Sequence, residues 1–117
     1  MHPILTAYLT CALWSSTNED GKPLDDKYEV KDFAPESVSA AEKEIEDFIN
    51  LLQNEGISWG VLTPEQFGND FWLTRNRHGA GFWDRGLGEL GKRLTEWAHT
   101  YGSSDAYVRD DEKVYLS

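Results

Sequence analysis

The chain has 117 residues with 21 acidic side chains against 11 basic ones, a formal net charge of −10, which disfavours general binding to nucleic acid or to anionic membranes. That length predicts a single compact domain over residues 1–117, and its fifteen aromatic residues supply a core without disulfides or a structural metal. The lone cysteine, Cys11, excludes an internal disulfide and a thiolate cluster, and every apolar run is far shorter than the roughly 18 residues of a membrane span. Ile4, Ala7, Tyr8, Cys11, Ala12 and Trp14 recur at helical spacing, which predicts a first short helix ending near Ser15. No Lys or Arg precedes this segment and threonines interrupt it, so it does not read as an export signal. The stretch from Ser16 to Asp32 is rich in Asp, Asn, Gly and Pro and predicts a loop with one extended portion.

The clearest helix follows. Pro35 suits a first turn, and Val38, Ala41, Ile45, Phe48, Ile49 and Leu52 then repeat at steps of three and four, so the helix runs from about Pro35 to Asn54 and stops before Gly56. Thr63-Pro64-Glu65-Gln66 has the form of a capping box and starts another helix carrying Phe67, Phe71 and Trp72, ending near Asn76. Leu87, Leu90, Leu94, Trp97, Ala98 and Tyr101 predict a further long helix stopped by Gly102. In the tail, Tyr107-Val108 and Val114-Tyr115 flank a polar Asp110–Lys113 centre as in a hairpin. The expected class is α+β, mostly α, with three to four helices and a small C-terminal β-hairpin.

Charge is uneven. Residues 1–56 hold twelve acidic and four basic side chains, whereas Arg75, Arg77, Arg85, Lys92 and Arg93 outnumber Asp84 and Glu89 between positions 75 and 93. The segment from Asn69 to Gly86 gathers two aromatic pairs, three arginines, His78 and three glycines. Three roles are open to it. It serves as structure, with Trp72, Phe82 and Trp83 as anchors and Asp84 paired with Arg75 or Arg85. It binds a small anion or nucleotide through Arg75, Arg77, His78, Trp83, Asp84 and Arg85, the arginines gripping phosphate or carboxylate and an aromatic stacking on a base. Or it is catalytic, with His78 as a general base oriented by Asp84 or Asp70. This last role lacks a nucleophile, since Thr74 is the nearest hydroxyl and Cys11 reads as a small apolar residue on the first helix.

His2, His78 and His99 are widely spaced, no calcium-loop register is present, and Gly79-Ala80-Gly81 follows no strand, so neither a metal nor another cofactor is expected. The acidic side chains suggest a different use. Asp25 and Asp26 in the loop, and Glu36, Glu42, Glu44, Glu46 and Asp47 on the second long segment, form an expected partner-binding face for a basic protein surface.

Asp70-Phe71-Trp72-Leu73-Thr74-Arg75-Asn76, followed by His78-Gly79-Ala80-Gly81-Phe82-Trp83-Asp84-Arg85-Gly86, together with Ala12–Ser16 and Pro23-Leu24-Asp25, resembles a group of small proteins encoded by bacteriophages and prophages. The likeness covers most of the chain. It implies a viral or mobile-element origin and a host cytoplasmic setting, and it carries no catalytic assignment to His78, Asp84 or Arg85. Accessory proteins of that kind often block host restriction or CRISPR machinery, whose grooves are basic, which is an analogy of class only. The expected function is therefore a binding protein, a nucleic-acid mimic acting on a host defence protein, rather than an enzyme.

Overall fold

The structure is a computed structural model that describes residues 2–117. Helix α1 spans Pro3–Ser15, with proline in its first turn and His2 Nδ1 accepting a hydrogen bond from the Ile4 amide at 3.1 Å. Its apolar residues surround nearly the whole circumference, so α1 buries Ile4, Leu5, Tyr8, Leu9, Cys11, Ala12 and Leu13 at the centre of the molecule. The segment to residue 34 is not extended. A bridge between Thr17 and Pro23 closes a turn, and two short 3₁₀ turns follow at Leu24–Asp26 and Val30–Asp32.

Helix α2 spans Pro35–Asn54 and buries Ala41, Ile45, Phe48 and Leu52 on one stripe. It ends in a Schellman motif: the Ile57 amide donates to Leu52 O, the Gly56 amide to Gln53 O, and Gly56 sits at φ 69°. Helix α3 spans Pro64–Arg75, and Thr63 caps it by accepting from the Gln66 amide at 3.1 Å. Gly68 lets α3 cross directly against α1, because any Cβ there would overlap the Ile4 carbonyl.

Helix α4 spans Glu89–His99 and is shorter than its apolar spacing predicts. Gly88 at φ 61° cannot continue a helix, so Leu87 lies outside it, and Tyr101 lies on a final tight turn closed by bonds to Ala98 O and His99 O. Strands β1, Ala106–Val108, and β2, Val114–Leu116, pair antiparallel with Tyr107 opposite Tyr115. The hairpin leans on the start of α2: the Ala34 amide donates to Val114 O at 2.9 Å, and Ser37 Oγ accepts from the Leu116 amide at 3.1 Å. The protein is α+β and mostly α, with four α-helices and a two-stranded hairpin among the described residues.

One buried cluster draws on all of these elements. Phe48 of α2 stacks on Phe71 of α3 with ring centroids 4.3 Å apart, and Trp72 meets Tyr8 edge-on at 5.3 Å. The Trp72 indole is satisfied by Ser15 Oγ at 2.8 Å, so its burial leaves no orphaned donor.

Candidate functional site

The segment from residue 69 to 86 folds back on the end of α3. Thr74 Oγ1 accepts from the Phe82 amide at 3.0 Å, and Gly81 fits against Thr74 where a side chain would not. Asp84 caps the tight turn Phe82–Asp84 by accepting from the Gly81 amide at 3.1 Å. Phe82 is fully buried beneath α4, where Gly91 leaves room for the Phe82 carbonyl. This loop is therefore ordered by bonds of its own.

The six residues singled out for an anion site divide into two groups. Arg75 and Arg85 are both paired within the protein, although Arg85 is itself solvent-exposed. Arg75 is buried, and its guanidinium donates to Gly102 O, Tyr8 Oη, Glu44 Oε2 and Tyr101 O at 2.9, 2.9, 2.6 and 3.0 Å. Burial works against its charge, but Tyr8 and Glu44 more than offset this and hold the guanidinium above its ordinary pKa. Arg85 forms a two-pronged pair with fully buried Asp70 and stands 3.8 Å from Asp84. The bond to Asp70 raises the Arg85 pKa.

Arg77, His78 and Trp83 are exposed, as is Asp84. Arg77 occupies the left-handed region at φ 55°, and its positive charge, after burial, is a cause of the lowered pKa of His99. Neither Asp70 nor Asp84 forms a hydrogen bond or ion pair with the His78 imidazole among the described residues, since both carboxylates face Arg85 and the loop amides. His78 instead lines a polar cleft of about 390 Å³, facing Ser16, Asn76, Ser103 and Asp105. Asn76 holds one wall by accepting from the Ser104 amide at 2.8 Å and donating to Trp72 O at 2.9 Å. The cleft joins segments nearly ninety residues apart, so local spacing carried no sign of it.

The acidic residues also differ in their surroundings. Glu36, Glu42 and Glu46 are exposed along α2, and Asp25 and Asp26 are exposed on the turn before it. None of these five has a Lys or Arg within ion-pair distance among the described residues. Glu44, still partly exposed, pairs with buried Arg75, and Asp47 accepts from Tyr101 Oη at 2.6 Å. Desolvation and the Asp47 bond push the Tyr101 pKa well up.

Among the described residues, no group of three or more His, Cys, Asp or Glu is placed to hold a metal, and no helix is long and apolar enough to cross a membrane. Compared with protein-family models, curated proteins and solved structures, the chain gives no match.

Proposed function

We propose that this chain is an acidic binding protein that docks on a basic, nucleic-acid-handling surface of a host protein and blocks it. The observation that carries the reading is the set of exposed carboxylates at Asp25, Asp26, Glu36, Glu42 and Glu46, which have no Lys or Arg within ion-pair distance among the described residues, on a body of net charge −10. Carboxylates left unpaired by the fold raise the negative potential outside the protein and steer a cationic groove toward it. The sequence resemblance to phage and prophage proteins fits the same role in a host cytoplasm, with restriction or CRISPR nucleases as the class of target.

The purified protein is immobilised and exposed to host lysate at about 50 mM and about 500 mM salt, a range over which screening changes severalfold. A basic nucleic-acid-handling protein retained at low salt, released at high salt and lost by the Glu42→Lys/Glu46→Lys variant is the expected result. Retention that ignores both salt and the variant overturns the reading. A second reading, binding of a small anion, rests on exposed Arg77 and His78 beside the polar cleft; a thermal shift with nucleotides or phosphate, lost on Arg77→Ala, would favour it.

A further inference from the structure

We infer that the outer edge of β1 takes an additional strand, supplied by an extended basic segment of another polypeptide. This inference goes beyond the acidic-face reading and uses no residue of α2.

The register of the hairpin shows which backbone groups it leaves unpaired. The Arg109 amide donates to Lys113 O and the Ser117 amide to Asp105 O, so Asp105, Tyr107 and Arg109 bond across the hairpin while the amides and carbonyls of Ala106 and Val108 point the other way. On β2 the corresponding outward groups are used, since Val114 O accepts from the Ala34 amide and the Leu116 amide donates to Ser37 Oγ. On β1 they are not. Neither Ala106 nor Val108 has an outward backbone hydrogen bond among the described residues, although Ala106 is buried. Buried peptide groups are nearly always paired in a folded protein, so this edge is short of a partner.

The groove beside that edge has a second unpaired wall. Around the Thr17–Pro23 bridge the Leu24 amide donates to Ser16 O and the Asn18 amide to Lys22 O, so the amide and carbonyl of Thr17 itself turn away from the bridge, and they too have no partner among the described residues. Thr17 and Ala106–Val108 line one groove of about 360 Å³. A strand laid in it meets backbone donors and acceptors on both sides, which is the physical basis of recognition by strand addition.

The charge of the rim selects the occupant. Glu19 and Asp20 line the groove, and Asp105 and Asp110 stand just beyond either end of β1; all four are exposed, with no Lys or Arg within ion-pair distance among the described residues. Lys27, the cation that also lines it, is already paired with Glu112 at 3.3 Å. A second copy brings a further −10 and is repelled, whereas a basic segment is attracted. Leu24 and Tyr28 complete the lining, so a strand of alternating cationic and apolar residues sends one set to the carboxylates and the other to these two side chains.

The probe is a labelled peptide, acetyl-Lys-Val-Lys-Val-Lys-Val-Lys-amide, titrated with the full chain at about 150 mM salt and followed by anisotropy, with amide exchange read by NMR on the same mixture. Binding is expected, with exchange at Thr17, Ala106 and Val108 slowed at least about tenfold while the α2 amides keep their rates. N-methylation of the valine amides removes strand donors but no charge and weakens binding at least about tenfold, and glutamate in place of lysine abolishes it. Val108→Pro deletes an outward N–H that β2 does not use, a change an edge strand tolerates, and weakens binding about tenfold. Glu19→Lys/Asp20→Lys, at exposed turn positions, weakens it by a similar factor of about ten. Absence of binding overturns the inference. So does binding that survives N-methylation or leaves the three amides unprotected, which is charge attraction alone. Protection of those amides on concentrating the protein by itself gives the edge to a second copy and equally overturns it. Glu42→Lys/Glu46→Lys leaves peptide binding within about twofold, so this inference and the acidic-face reading fail separately.

Discussion

Arg85 reaches back to Asp70 with two parallel hydrogen bonds, 3.0 Å from Nε to Oδ2 and 2.7 Å from Nη2 to Oδ1, where the carboxylate is wholly shielded from solvent. Asn69 Nδ2 donates to Oδ1 at 3.2 Å, so the buried charge is held by several donors. Removing the arginine leaves that buried charge with neutral donors but without its cationic partner. Arg85→Ala is expected to cost about 3 kcal/mol by urea unfolding, and Arg85→Lys recovers only part of it, because a single ammonium cannot reproduce the planar pair. A loss below about 1 kcal/mol in the alanine variant would show that the pair contributes little.

Two glycines separate packing from flexibility. Gly68→Ala drives a methyl into the Ile4 carbonyl at the α1–α3 crossing, whereas Gly79→Ala meets open space. The first is expected to lower stability by about 2 kcal/mol or more, while the second stays within about 0.5 kcal/mol of the parent. Chemical denaturation of the two variants side by side checks both.

Helices α2 and α3 end in the same motif with different residues at the left-handed position. Gly56 fills it in α2; in α3, where the His78 amide donates to Leu73 O and the Arg77 amide to Thr74 O, an arginine sits there at φ 55°. Arg77→Gly is expected to gain about 0.5 kcal/mol, the relief of left-handed strain being partly offset by the greater freedom of glycine when unfolded. The same change removes a charge that lowers the His99 pKa, so the His99 midpoint followed by NMR rises.

Burial pushes the Cys11 thiol from 9.0 up to about 12, and desolvation raises the Tyr8 hydroxyl from 10.0 to about 12. Both folded values lie above the unfolded ones, so their contribution is intact below pH 9 and is lost as pH rises toward about 12. Urea midpoints are expected to fall steadily above pH 9, and native Cys11 resists thiol reagents at pH 8 until the chain unfolds. Fast labelling of Cys11 in the native state would contradict this.

Helix α2 was legible because its apolar stripe has a single period over twenty residues and proline and glycine mark its ends. Thr63 was equally plain as a cap, since both the cap and its proline are local signals. The termini of α4 were read too generously, because apolar spacing continues through Leu87 and Tyr101 while the backbone at Gly88 does not. The site was harder. The 69–86 segment stood out by composition, but which arginine turns inward depends on Tyr8, Glu44 and Gly102, contributed by three distant parts of the chain. Trp14 shares the helical spacing of Ile4, Tyr8 and Cys11 but is 46% exposed rather than packed with them, since a helix apolar on nearly all sides offers no periodic contrast between packed and exposed positions.

The contacts of Arg75 bear on how the molecule opens. One guanidinium on α3 touches Tyr8 of α1, Glu44 of α2 and the carbonyls just beyond α4. No helix can detach from the others without stranding some of those donors in the interior. The four helices are therefore expected to exchange their slowest amide protons together, as one cooperative unit.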